Sequence, residues 1–410
     1  MTRLLIAWLS LALAACTAAP ANGIPVSMER VEIIAEVPEG TGPVYLSGSL
    51  DSLGPWKADA MLMDGAGTER RASLLRKSGE ALEYKFTLGS WEREGLGPSG
   101  TVMANFVLSA GETEARQSVV DFKKESRTYI EDVAGAGIVG QLDYWLDVPS
   151  AFLPETRHVS IWTPPGYDAY PDKTYRVIYM SDGQNLFDPR IANTGTDWGA
   201  DEAMVAVAAE GVEPAIIVSS WSTSKRFEEY SPWHRGEDYF RFLADELMPR
   251  VEAAYRVKTG PENTFHAGSS MGGLISFHLV THHPDVFGAC GCVSTHVPLS
   301  EAVVAQVFPD VPVAPDPDTT PYLLRDIEAG LTPPPGARYW FDYGTDGLDA
   351  DYAPMHAVLR NWLLTNGLEE GRDFSARRYE GATHNEASWR ARLQDVFTFL
   401  LAPQTEFSDP

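Results

Sequence analysis

The sequence predicts an α/β domain built on a doubly wound, mostly parallel sheet, preceded by a small all-β sandwich. Two patterns predict this. Up to about residue 122, short apolar runs are separated by Gly, Pro and Asp, and helical periodicity is nearly absent. From about residue 142, buried-strand runs alternate with stretches of helical period, as in strands joined by crossover helices. Composition agrees, since 44% of the 410 residues are hydrophobic and can fill two cores. The formal charge of −25 argues against a nucleic-acid partner, which would need clustered Lys and Arg.

The chain opens with Arg3, an apolar run over residues 4–13, and Leu13-Ala14-Ala15-Cys16. The run is too short to span a bilayer as a helix, so residues 1–15 read as an export signal. The small residues before Cys16 resemble a bacterial lipobox. That resemblance implies cleavage before Cys16 and lipid on its thiol and new amine. Thr17 stands where an inner-membrane retention signal would usually place Asp, which favours the outer membrane. The expected state is therefore an exported, membrane-anchored lipoprotein facing the periplasm or cell surface, with residues 16–24 as a tether.

Residues 25–122 form the expected sandwich, from strand runs at 31–37, 43–48, 82–88 and 103–108. Residues 123–141 are polar and charged, and read as a linker. Within 142–402 the strand candidates are 158–162, 176–180, 215–219, 264–267, 291–294, 338–342 and 374–379. Phe240, Leu243, Leu247 and Val251 fall at helical spacing, and further helices are expected over 350–364 and 386–400. Residues 309–335 are proline-rich and predict a surface cap, and 403–410 a tail. Cys290 and Cys292 share a strand face and read as buried structural thiols; no cysteine spacing calls for zinc.

The chemistry starts at Gly268-Ser269-Ser270-Met271-Gly272. An apolar strand precedes it and an apolar helical run follows, which is the setting of a nucleophile elbow. Glycines allow the tight turn, and the helix N-terminus behind it offers N–H groups to a developing oxyanion. Ser270 is the candidate nucleophile. A base should lie after the last strand, and His384 does. Of the other histidines, His278, His282 and His283 ride the elbow helix, and His296 ends the next strand, where it can line a pocket. The acid should follow the strand at 338–342, where Asp346 and Asp349 both qualify. One oxyanion donor is the Met271 N–H. The second is expected from the loop at 181–187, with Gln184 as the choice and Asp182 as a brace.

The segments 179–188, 198–199, 226–232, 266–273, 342–352 and 384–389 together resemble the "putative esterase" family of α/β-hydrolases. That group includes esterase D, feruloyl and acetyl-xylan esterases of carbohydrate esterase family 1, mycolyl transferases and enterochelin esterases. The resemblance covers roughly 142–402 and implies acyl transfer from an ester to water through Ser270. Its Gly-Thr-x-x-Leu-Asp pattern favours Asp349 over Asp346. It implies no metal and no organic cofactor. Arg226, Glu229 and Tyr230 either shape the pocket or brace a loop.

In the first domain, Trp56 after Leu53-Gly54, Lys85 in a Glu-Tyr-Lys-Phe run, then Trp91 and Asn105 resemble a starch-binding-type module. The resemblance implies a sugar site, with indoles stacked on a pyranose face and Lys and Asn bonding hydroxyls. The expected substrate is thus a carbohydrate-linked ester, acetyl or feruloyl, with possible polysaccharide contact through the first domain. The alternatives are a siderophore-type trilactone, or a glycan-binding lipoprotein with a vestigial hydrolase domain.

Overall fold

A computed structural model describes residues 27–54, 56–98, 100, 102–124, 137–307 and 312–402. The expected signal peptide, Cys16, the tether, most of the linker and the tail lie outside the described residues. Among the described residues, no helix is long and apolar enough to cross a membrane.

The first domain contains β1 (Met28–Glu36), β2 (Tyr45–Gly48), β3 (Met61–Leu62), β4 (Glu69–Lys77), β5 (Leu82–Thr87), β6 (Gly95–Leu96), β7 (Phe106–Leu108), β8 (Glu114–Ser118) and β9 (Asp121–Phe122). One sheet runs β4-β1-β8 and the other β3-β2-β5-β7, with β6 and β9 paired separately. Val31, Ile33 and Ala35 of β1 meet Leu46, Leu82, Tyr84 and Phe86 of the facing sheet in one buried core. β4 was not anticipated from the sequence. It alternates buried and exposed residues, but Arg70 and Arg76 stand at two of the buried positions. Arg70 donates to the Thr41 carbonyl at 2.6 Å, and Arg76 to the Leu108 and Ser109 carbonyls at 2.9 Å. Paired burial of charge thus hides the apolar alternation that marks a strand.

The second domain contains β10 (Gln141–Val148), β11 (Arg157–Thr163), β12 (Val177–Met180), β13 (Ile216–Ser220), β14 (Thr264–Ser269), β15 (Ala289–Val293), β16 (Arg338–Gly344) and β17 (Phe374–Tyr379). They form one sheet ordered β10-β11-β13-β12-β14-β15-β16-β17. β10 and β11 are antiparallel to their neighbours, and β13 through β17 pair in parallel. Both faces are covered. Val177 and Tyr179 face one core, shared with the helices Met271–His282 and Ala353–Thr365, while Ile178 and Met180 face the other, shared with Ala200–Ala209 and Leu393–Leu401. Such two-sided burial is why the strands read as continuous apolar runs.

Two helices depart from expectation. The run expected over 386–400 is two helices, Glu386–Arg390 and Leu393–Leu401. Arg392 lies between them, buried, with its guanidinium 2.9 Å from Asp342. The helical stretch carrying Phe240 to Val251 contains a π-helical turn at Phe242–Leu247. The proline-rich segment is not all loop, because Tyr322–Glu328 is helical. The domains touch at the loop after β12. Lys123 donates to the Ala192 carbonyl at 3.2 Å, and Gly195 packs so closely on Val102 that a Cβ there would lie 3.1 Å from its side chain.

Candidate active site

The elbow is built by sterics. Ser270 has φ 56° and ψ −119°, a strained conformation between the end of β14 and the helix Met271–His282. A Cβ on Gly268 would lie 2.8 Å from the Gly272 backbone, and one on Gly273 2.5 Å from the Thr295 hydroxyl. Only glycine permits strand and helix to approach so closely. The turn is pinned by Ser270 N–H to the Val293 carbonyl at 2.9 Å and by His296 N–H to the Ser270 carbonyl at 3.2 Å. Ser270 is half-buried at the C-terminal end of β14, and Met271 begins the helix with its N–H in the first turn.

His384 follows β17 and donates from Nδ1 to Asp349 Oδ1 at 2.6 Å. Trp389 and Tyr352 meet the His384 ring edge-to-face at 5.0 and 5.7 Å. Asp349 is fully buried. Its other oxygen accepts from Ser294 Oγ at 2.5 Å and from the Gly344 N–H at 2.7 Å. Burial pushes the Asp349 carboxyl up, but these three hydrogen bonds outweigh it and hold the group below the usual carboxylate range. Asp346, three residues away, is exposed and is not among the partners of His384.

Ser294 was not anticipated. It has φ 38°, its N–H donates to Asp342 at 2.9 Å, and its hydroxyl receives Trp389 Nε1 at 3.0 Å and the Arg392 guanidinium. Asp342, Arg392 and Ser294 therefore form a buried frame around Asp349. Burial raises the Asp342 pKa, with Arg392 opposing. Tyr352 was also missed. Its hydroxyl lies 2.7 Å from His296 Nδ1. Among the described residues Ser270 makes no hydrogen bond to His384, a contact that often tightens only with substrate in place.

Gln184 lies in a short 3-10 turn, Gly183–Asn185, after β12. Its side chain is occupied, donating to Ser222 Oγ at 2.5 Å and accepting from Ser222 N–H at 3.1 Å. Asp182, at φ 56°, is clamped by Arg226 through two bonds of 2.7 and 2.8 Å, and its N–H donates to the Tyr230 hydroxyl at 3.2 Å. Glu229 is fully buried against Arg157 at 2.9 and 3.0 Å. Asp182, Arg226 and Tyr230 thus brace this loop, while Glu229 ties the helix Arg226–Tyr230 to Arg157 of β11. Cys290 and Cys292 are buried and unbridged.

In the first domain, Trp56, Lys85, Trp91 and Asn105 line one cleft of about 360 Å³. Trp56 and Trp91 lie 6.4 Å apart, tilted by 44°, and Trp91 is 37% exposed. Two lining residues were not expected. Glu94 is ion-paired to Lys85, and Asn193 comes from the second domain. Asn105 donates to Glu83 at 2.9 Å. Asn193 N–H donates to Asn185 Oδ1 at 2.8 Å, so one loop joins this cleft to the turn carrying Gln184.

An α/β-hydrolase fold is the class that this sheet and its strand–turn–helix elbow define. Residues 150–400 match the family model described as "Putative esterase", and the chain belongs to that family. The chain is 23% identical over 151 residues to "Uncharacterized protein YbbA" of Bacillus subtilis, across 34% of this chain and 56% of that one. It is 25% identical over 173 residues to an endo-1,4-beta-xylanase/feruloyl esterase of Xylanibacter ruminicola, across 40% of this chain and 22% of that one. These matches span about half, or less, of the relatives' own length. The enterobactin esterase FES from Shigella flexneri shares the fold across 93% of this chain and 95% of its own, with a TM-score of 0.50 at 15% identity.

Proposed function

We propose that this chain is a serine esterase acting on a carbohydrate-linked ester, acetyl or feruloyl. The observation that carries the reading is the His384–Asp349 pair, bonded at 2.6 Å, taken together with a strained Ser270 at a helix N-terminus. Ser270 Oγ attacks the ester carbonyl as His384 takes its proton. The Met271 and Gln184 N–H groups receive the oxyanion. The alcohol leaves with the proton from His384, which then activates water against the acyl-enzyme. Asp349 holds the imidazole in the required tautomer and stabilises its charged form. Ester hydrolysis by this route needs neither metal nor organic cofactor. A second reading, a siderophore-type trilactone, is carried over from the enterobactin esterase and its shared two-domain fold.

For the sugar part, the Trp56–Trp91 cleft supports the carbohydrate reading, because indole faces stack on pyranose C–H faces. Lys85 enters that role with Glu94 beside it, so the pair offers a donor and an acceptor to hydroxyls. We further propose that the chain is exported and anchored through lipid on Cys16, in the outer membrane.

The test is hydrolysis of p-nitrophenyl acetate, acetylated and feruloylated oligosaccharides, and a catecholate trilactone. Ser270→Ala and His384→Ala should each lower kcat by several orders of magnitude, up to about 10⁶-fold. Trp56→Ala and Trp91→Ala should raise KM for the oligosaccharide esters and leave p-nitrophenyl acetate unchanged. Turnover of the trilactone alone would select the second reading.

A further inference from the structure

The far end of the elbow helix carries a second cluster that ester chemistry does not use. His278 and His282 sit in the last turn of Met271–His282, and His283 caps it. Glu237, on the neighbouring helix Gly236–Arg241, reaches across to them. His283 Nε2 lies 3.0 Å from the Glu237 carboxylate. The His283 ring lies flat against Phe240, with centroids 3.4 Å apart and planes within 9°, which fixes its orientation. His278 Nε2 is buried and has no hydrogen-bond partner. The donor atoms of Glu237, His278 and His283 all lie within 4.8 Å of one another.

An orphaned ring nitrogen inside a folded protein calls for an explanation. A neutral imidazole is the form that ligates a metal. Two imidazoles and one carboxylate, leaving a fourth position for water, make a zinc-type donor set, whereas calcium and magnesium ask for oxygen ligands. At zinc–ligand distances of about 2.0–2.2 Å, tetrahedral donors lie roughly 3.3–3.5 Å apart. The cluster must contract slightly, and the Glu237 side chain, 60% exposed, is free to do so.

We propose that Glu237, His278 and His283 bind a zinc-class divalent cation, tying the end of the elbow helix to the helix Gly236–Arg241. The site lies roughly 12–20 Å along the helix from Ser270, so its role is to hold the helix rather than to touch the reacting ester. His282 stacks on His278 at 4.2 Å and turns its Nδ1 toward the His278 carbonyl, 3.2 Å away. It is a neighbour and not a ligand.

The experiment is equilibrium dialysis of chelator-stripped full chain against Zn²⁺, with bound metal quantified, alongside thermal melts with and without Zn²⁺. Wild type should bind one equivalent and melt at a higher temperature with the metal. Glu237→Gln and His283→Ala should weaken binding by about 10- to 100-fold or more and remove the shift in melting, whereas His282→Ala should retain both. Glu237 is exposed, so its variant keeps the test valid even if a histidine variant folds poorly. Binding that is absent in wild type, or equal in wild type and Glu237→Gln, would overturn the proposal. Loss of binding in His282→Ala alone would overturn it too.

Discussion

At the residue scale, Asp349 and Asp346 compete for one role from the same loop. The carboxylate that meets His384 is the one buried among Ser294, Gly344 and the imidazole. Asp349→Asn is therefore expected to lower kcat by about 10⁴-fold, because an amide favours the wrong imidazole tautomer. Asp346→Asn should leave kcat within a few-fold. Steady-state kinetics on p-nitrophenyl acetate separate the two. Equal losses, or a larger loss at Asp346, would reverse the assignment. Both aspartates were legible as candidates, from their place after a strand. The frame around Asp349 was not, since Ser294 and Arg392 are 55 and 43 residues away and carry no local mark of the role.

At the element scale, the elbow is the part most fully legible in the sequence. Its signal is steric and local, with glycines placed where strand and helix backbones nearly touch. Gly268→Ala would set a Cβ 2.8 Å from backbone that cannot yield, and should destabilise the chain by about 1–3 kcal/mol. Gly42 offers a control, because a Cβ there meets nothing within 4 Å. Gly42→Ala should be neutral, or stabilising by up to about 1 kcal/mol through the unfolded chain. Urea unfolding midpoints decide this, and equal midpoints for the two variants would refute the steric account. β4 shows the opposite case. Its inward Arg70 and Arg76 are satisfied by carbonyls from distant segments, so a local reading of polarity points away from a buried face.

At the scale of the whole molecule, buried imidazoles set the acid response. Burial pushes His266 down to about 3, and His296 and His356 to about 4. Their folded pKa values are depressed below the unfolded value of about 6.5. The unfolded chain therefore binds more protons, and stability is lost as pH falls below about 6.5. Asp201, pushed up to about 7 by burial, acts in the opposite sense with one proton. Other raised carboxylates, Glu94, Asp197, Asp342 and Glu386, oppose the trend nearer the carboxylate range. The net loss should be roughly 3 kcal/mol per pH unit near pH 5.5. Melting temperatures between pH 7 and pH 5 measure it, and His266→Gln should flatten the slope by about one proton. A pH-independent melt over that range would contradict it.

The sequence by itself determined what depends on neighbours along the chain. The strand runs, the helical stripes and the strained serine turn are all written within short windows. The change from sandwich to α/β domain is equally plain, because the two periodicities differ. Only the tertiary structure decided which acid meets His384, which buried arginines are paired, and that Asn193 joins the Trp56–Trp91 cleft. It alone brought Glu237 to His278 and His283. The physical reason is that each of these is a contact between distant segments. Burial and hydrogen-bond partners belong to the packed chain, and no residue carries them until the sheet and its helices close around it.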